Sequence, residues 1–282
     1  MVKIYLGLAQ WHHSKWYPFK SSSNQSLQQY SSCFTSVEGN TSFYGLPSES
    51  NLRNWSETVP EQFSFCFKFP KEISHKQCLT HCSRQVTDFL NRISLIKHQL
   101  GIIWLQLDKS FGANELLVLQ RFLEHLPNDF NYAVEVRSLD YYRKDSTEQQ
   151  FNQLLHQHGV NRVIFDTRSL FSNNQLTDPA TLEALKAKPK VPAHVLATGQ
   201  SPFVRIIIPM HRSLAKKVIM QWVAKAVQWI DAGLTPYFFF HTPDNAEAPL
   251  FAQCFSQLLS QQRPNIQVLS LWEQDKIQTS LF

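Results

Sequence analysis

Eight short runs dense in β-branched and aromatic residues recur along the chain, each separated from the next by a segment of helical character. In order they are KIYLGLA from Lys3, SVEGN from Ser36, FSFCFKF from Phe63, GIIWLQL from Gly101, YAVEVR from Tyr132, RVIFDT from Arg162, FVRIIIP from Phe203 and YFFFHT from Tyr237. Runs this apolar suit strands covered on both faces, the condition of a parallel sheet with crossover helices. Eight strand–helix units are the number that closes a (β/α)8 barrel, and 282 residues are ordinary for one. An open doubly wound sheet is the competing arrangement. It is disfavoured because GLAQWHHSKW, after the first run, is not the glycine-rich phosphate turn of that fold.

The intervening segments carry helix start and stop signals. Asn114 is placed to cap ELLVLQRFLEHL, in which Leu116, Leu119, Leu123 and Leu126 line one face. EQQFNQLLHQH ends at Gly159, the long helix before the eighth run ends at Gly233, and Asp178-Pro179 reads as a cap with proline at the first helical position. The stretch from Leu170 to Gln200 contains three prolines and is expected to be one long irregular loop before the seventh strand. The expectation is therefore an α/β chain forming a single TIM-type barrel over residues 1–282.

Composition narrows the setting. No apolar run approaches the roughly 20 residues of a membrane span. The N-terminus reads as a strand rather than a leader, so no membrane association and a cytoplasmic location are expected. The cysteines Cys33, Cys66, Cys78, Cys82 and Cys254 are odd in number and lack disulfide spacing, which fits a reducing compartment. Asn24, Asn40 and Asn54 begin glycosylation patterns that, without a secretion signal, are chance matches. A net charge of +5 suits an anionic ligand and falls far short of a nucleic-acid-binding arm.

In barrels of this type the chemistry gathers at the C-terminal ends of the strands. Here those ends supply Gln10 and Trp11, Glu38 and Asn40, Lys68, Gln106, Glu135 and Arg137, Asp166 and His241. Glu38/Asn40 and Glu135/Arg137 are two apart, so each pair projects to one side of its strand. A convergent polar ring is expected. Glu135–Arg137 or Glu38–Lys68 would serve equally well as structural ion pairs taken singly, but a whole ring of desolvated charge without a function is costly. His12, His13, Trp16 and Tyr17 add aromatic surface beside the first strand, for a ligand or for covering the rim.

Other signals point away from chemistry. His75, Cys78 and Cys82 would share a face on a helix, yet no second Cys/His pair exists to complete a zinc site, so packing is the expected role. No metal or cofactor is assigned. Lys68 forming a Schiff base would need a depressed pKa, whereas a lysine ringed by acids is expected to have its pKa raised and to pair with them.

The order VEGNTSFYGLP, FCFKFPKEISH, LGIIWLQLDKSFG, YAVEVR, VNRVIFDTR, RIIIP and FFFHTPDNAEAP resembles the YecE-like family, domain of unknown function 72, over essentially the whole chain. The resemblance implies a (β/α)8 barrel and no established activity. Its recurrent polar positions fall on Glu38, Asn40, Lys68, His75, Gln106, Glu135, Arg137, Asp166 and Arg205. Many members follow the Glu-x-Arg with His and close the seventh strand with His-Gly. Here Ser138 and Ile207-Ile208 stand in that neighbourhood, and His241 is the candidate substitute.

Three functions are consistent with this reading. The first is an enzyme acting on a small anionic or phosphorylated substrate. Lys68, Arg137 and Arg205 hold the anion and Glu38, Glu135 or Asp166, with carboxyl pKa values raised by burial but restrained by the adjacent cations, do the acid/base work. Gln10, Trp11, Asn40, His75, Gln106 and His241 line the site, and Arg205 is its weak member because it lies early in its strand. The second is a metal-dependent phosphodiester hydrolase on nucleic acid, using Glu38, Glu135, Asp166 and His241. The third is a non-catalytic barrel that binds a metabolite or a protein partner. A monomer is expected rather than an obligate oligomer.

Overall fold

The computed structural model describes residues 3–16, 23–172 and 178–272. Eight parallel strands close on themselves in chain order: β1 Tyr5–Leu8, β2 Ser36–Gly39, β3 Ser64–Lys68, β4 Leu100–Gln106, β5 Asn131–Glu135, β6 Asn161–Asp166, β7 Phe203–Ile207 and β8 Tyr237–His241. β8 pairs back onto β1 through Tyr5↔Tyr237 and Leu8↔Phe240. The chain is a (β/α)8 barrel, as the eight apolar runs indicated.

Its helices are α1 Ser23–Cys33, α2 Glu49–Thr58, α3 Ser83–Ile93, α4 Leu116–Glu124, α5 Ser146–Gln157, α6 Arg168–Phe171, α7 Pro179–Ala187, α8 Arg212–Asp231 and α9 Ala248–Gln262. Several boundaries follow the local chemistry. Asp178 accepts the Thr181 N–H at 2.8 Å ahead of Pro179. Gly159 and Gly233 take the left-handed conformation after α5 and α8, at φ +62° and +78°. Asn114 does not cap α4. The entry is a 3-10 turn at Ala113–Glu115, where Glu115 reaches back to accept the Gly112 N–H at 2.8 Å. The long stretch before β7 is likewise not wholly irregular, since it contains α6 and α7. No helix among the described residues is long and apolar enough to cross a membrane.

Strand alternation sorts the side chains into two cores. Outward residues such as Leu6, Val37, Phe65, Phe67, Ile103, Val134, Val204 and Phe238 pack under the helices. Inward residues Tyr5, Cys66, Ile102, Trp104, Ala133, Val163, Phe203, Tyr237 and Phe239 form a separate cluster inside the barrel. Gly7 occupies one inward slot because its neighbours leave no room: a Cβ there would lie 2.3 Å from the Ser36 carbonyl oxygen. Below this apolar layer the inward residues are uncharged and polar, with Asn161 donating to Asn131 Oδ1 at 2.9 Å. Above it, at the C-terminal mouth, the inward residues include the charged Glu38, Lys68, Glu135 and Arg205.

Candidate active site at the barrel mouth

The site is organised by Arg205, which rises from the middle of β7 and crosses the barrel. Its Nε and Nη2 donate to the two oxygens of Glu38 on β2, at 3.0 and 2.6 Å, and its Nη1 donates to Glu135 Oε2 on β5 at 2.6 Å. The planar guanidinium fork is suited to such a bidentate grip. Phe165 lies under it, 4.5 Å from ring centroid to Cζ. Arg205 is 6% exposed and both glutamates 1%. The residue expected to be the weak member of the site is its hub, since an inward side chain of this length at mid-strand reaches the level of the strand ends.

The two carboxylates are then nearly saturated. Glu38 also accepts from Asn40 Nδ2 at 2.8 Å and from His241 Nε2 at 3.1 Å. Glu135 accepts from Arg137 Nε at 3.0 Å. Both expected two-apart pairs therefore form, whereas Glu38–Lys68 does not. Burial pushes both carboxyls up, but the cations prevail. Arg205 and His241 hold Glu38 well below the usual carboxylate range, and Arg205, Arg137 and Lys68 take Glu135 to about 2. The restraint expected from the adjacent cations thus exceeds the rise from burial that a carboxylate base needs. Burial lowers the pKa of His241 against the pull of Glu38, so its Nε2–H donates to an ionised carboxylate.

The cations on the β3–β5 side are paired differently. Gln106 Oε1, at the end of β4, accepts from both Lys68 Nζ and Arg137 Nη2, at 2.8 Å each. Among the described residues no carboxylate lies within ion-pair distance of Lys68. Burial lowers its pKa to about 7, with Arg205 and Arg137 adding to the fall and Glu135 opposing it. The neighbouring acids do pull it up, as expected, but burial outweighs them, and both acids are already held by arginines.

The segment VEGNTSF explains much of this corner. After β2 it makes a 3-10 turn, Asn40–Phe43. Asn40 steadies Glu38, Ser42 bonds the backbone of Lys68 through both its N–H and its carbonyl, and Phe43 sets its ring 3.7 Å from the Lys68 amine. His75 stands edge-on to Phe43 at 5.1 Å, on the rim near Lys68.

Lys188 was missed in the sequence. It follows α7, is half-buried, and lies in the field of Arg205, Glu38, Arg137 and Glu135; burial, the largest cause, lowers its pKa. No described residue hydrogen-bonds or ion-pairs its amine. Only its position immediately after a capped helix hinted at it.

Three expected residues are elsewhere. Asp166 does not join the ring: Phe165 takes the inward position, and Asp166 faces out, accepting from Arg168 Nε and Nη2 at 2.9 and 2.8 Å and from Trp222 Nε1 of α8 at 2.9 Å. Gln10 donates to the His12 carbonyl at 2.6 Å, and Trp11 packs edge-on against Trp55 at 5.1 Å. Trp16 is buried, donating to the carbonyls of Asn245 and Ala246, so it covers the rim; Tyr17 lies outside the described residues. His75 lies in a π-helical turn, Glu72–Lys76, and the chain from Gln77 to Cys82 is not a helix: Cys78, Leu79 and His81 all have positive φ. Among the described residues no three His, Cys, Asp or Glu side chains come together as a metal set. For the ring this has a physical reason, because guanidiniums occupy the lone pairs a metal would need.

A cavity of about 740 Å3 lies apart from the mouth, between α3 and α4, with Val86, Leu90 and Phe122 in its wall. The mouth is the better candidate for chemistry, because the convergent charges are there and the cavity lining contains none of them.

The family described as "Protein of unknown function DUF72" matches residues 5–275 of the chain. The chain is 40% identical over 279 residues to UPF0759 protein YecE of Escherichia coli K12, covering 99% of this chain and all of that protein. It is 29% identical over 154 residues to UPF0759 protein YunF of Bacillus subtilis 168, covering 52% and 55% of the two chains. A crystal structure of a DUF72 family protein from Thermotoga maritima MSB8 superposes with a TM-score of 0.70 at 19% identity, over 92% of this chain and 99% of that one. One from Enterococcus faecalis V583 gives 0.65 at 22%, over 90% and 97%.

Proposed function

From the premise that this chain belongs to the DUF72 family, we propose that it is an enzyme acting on a small carboxylate- or phosphate-bearing molecule at the β3–β5 side of the mouth. One observation carries the reading: Arg205, Arg137, Lys68 and Lys188 surround two carboxylates that are already spent. An incoming anion supplies the missing negative charge. Arg137, 24% exposed, uses two of its donors, and Lys68 uses one of three. Their remaining N–H groups have no partner among the described residues and are available to an anion, and Lys188 lies in the field of Arg137. Glu38, Arg205 and Glu135 form the fixed floor that orients these groups.

The proton-transfer role moves from the carboxylates to Lys68. A carboxylate near 2 is a weak base at neutral pH, while an amine near 7 has both forms available. The test is a thermal-shift series with inorganic phosphate, phosphorylated metabolites and keto acids, on the native chain and on Arg137→Ala. A ligand at about 100 times its Kd adds roughly 2.7 kcal/mol, or a few degrees in a chain of this size. We expect a small-anion shift in the native protein and about 10- to 100-fold weaker binding in the variant, the range for one charge-assisted hydrogen-bonding group. Equal shifts in the two proteins, or none with any small anion, refute the reading.

A further inference from the structure

We infer that Lys68 is an amine nucleophile, and that the small anion is a carbonyl compound whose carbonyl carbon lies one or two atoms from its carboxylate or phosphate. The inference rests on the anion-site reading above and deepens it by naming the reactive group.

The geometry begins with what Lys68 lacks. It ends β3, where its backbone is pinned by Ser42, so the side chain leaves a rigid element. Among the described residues its amine has one hydrogen-bond acceptor, the neutral amide oxygen of Gln106. The charged groups acting on it come from each side of the mouth: Glu38 from β2, Glu135 and Arg137 from the end of β5, and Arg205 from β7. The two glutamates are committed to guanidiniums, so none neutralises an ammonium here at contact distance. Phe43 covers the amine. That aromatic face favours the cation, by about 0.5–2 kcal/mol, but it also stands where solvating water would be. Burial is the larger effect, and at neutral pH about half of the amine is free. A surface lysine holds roughly three orders of magnitude less free base at pH 7.

Arg137 fixes the substrate class. Because Lys68 Nζ and Arg137 Nη2 share one oxygen of Gln106, an anion on Arg137 places its neighbouring atoms against the amine. A carbonyl carbon adjacent to a carboxylate, or one methylene from a phosphate, meets that spacing. The lone pair of Nζ forms the C–N bond while the carbonyl π pair moves to oxygen, which takes a proton. The carbinolamine then loses that oxygen as water, after a second protonation, as nitrogen's lone pair closes C=N. Of the three protons involved, one leaves nitrogen, so the net reaction is amine, carbonyl and one proton giving a protonated imine and water. Glu135 acts on the iminium only through its field, without a contact, and Arg205 keeps that carboxylate ionised.

The experiment is reductive trapping on the whole chain. Glyoxylate, pyruvate and glycolaldehyde phosphate are each added with borohydride, and the product is read by intact mass and peptide mapping. Lys68→Arg keeps the cation and serves as the comparison, with melting curves confirming that it folds. The expected result is a single adduct on Lys68, formed about 10- to 100-fold faster than on any surface lysine, absent from Lys68→Arg and slowed in Arg137→Ala. Preference for the keto acids or for the phosphate tells which anion the site takes. Labelling spread over surface lysines and unchanged in Lys68→Arg overturns the inference. A probe that raises the melting temperature without trapping overturns it while leaving the anion site standing. Neither trapping nor a shift from any anion overturns both.

Discussion

Two arginines among the described residues are buried in this barrel, and they face opposite ways. Arg162 is on the outer surface of β6, 1% exposed, and Arg205 is inside the barrel on β7. Arg162 donates to Glu148 at 3.0 Å, Asn152 at 2.6 Å and the Tyr141 carbonyl at 2.8 Å, between the rings of Tyr142 and Phe151. Glu148 also meets His194 Nδ1 at 2.5 Å and the Lys144 N–H. Here one guanidinium answers one carboxylate, and the remaining bonds tie α5, β6 and the segment after α7 together. At the mouth, the same kind of pair is surrounded by cations with no acid of their own. Burial of charge therefore does not distinguish a staple from a site. Charge imbalance does.

The largest effects should come from removing either hub. Arg162→Met leaves Glu148 buried without its guanidinium, and Arg205→Met does so to Glu38 and leaves Glu135 with Arg137 alone. Each should lose about 3–5 kcal/mol in urea unfolding. The two should differ in function: Arg205→Met abolishes the anion-induced thermal shift, and Arg162→Met retains most of it. If both variants lose the shift, the division between staple and site fails.

Next in size is a gain. Lys68 has a folded pKa of about 7 against an unfolded value near 10.5. Between those values the unfolded chain holds more protons than the folded one, so stability rises with pH through this window. The penalty is full below about pH 7 and gone by about 10.5. Lys68→Met should therefore stabilise the protein, on the order of 2 kcal/mol at pH 7, with the advantage shrinking toward pH 10. Melting curves at pH 6, 8 and 10 test this. No analogous gain is expected at Arg162, where the charge is matched, and a destabilised Lys68→Met at neutral pH would show that the amine is structurally paired after all.

The same contrast explains what was legible in the sequence. Eight apolar runs separated by capped helices sufficed for the barrel, and polar residues at strand ends located Glu38, Lys68, Gln106, Glu135 and His241. The phase of a strand buried on both faces was not readable. RVIFDT carries no alternation, so nothing announced that Phe165 points in and that Asp166 and Arg162 point out. Register supplies it, through Phe165↔Arg205 on the neighbouring strand. Arg205 was ranked low by its distance from the strand end, a measure that ignores side-chain length. The direction of the Lys68 shift depended on how deeply the amine is buried and on which acids contact it, which are three-dimensional facts.

The smallest effect tests whether the two regions are independent at all. Lys188 is half-buried and without a described bonding partner, so Lys188→Ala should change stability by no more than about 0.5 kcal/mol. Its loss from the mouth should weaken anion binding about five- to tenfold, measured by calorimetry at pH 7. The segment that begins at Lys188 is anchored by the peripheral cluster, through His194 on Glu148 and through Thr198, whose Oγ1 accepts the Arg162 N–H at 2.7 Å. The staple thus positions one cation of the site. In an Arg162→Met background that cation should already be misplaced, so adding Lys188→Ala should cost less than it does alone. Full additivity would mean that the staple holds the fold and nothing more. A shortfall would make the outer arginine a positioning residue for the inner site, acting along one segment of chain.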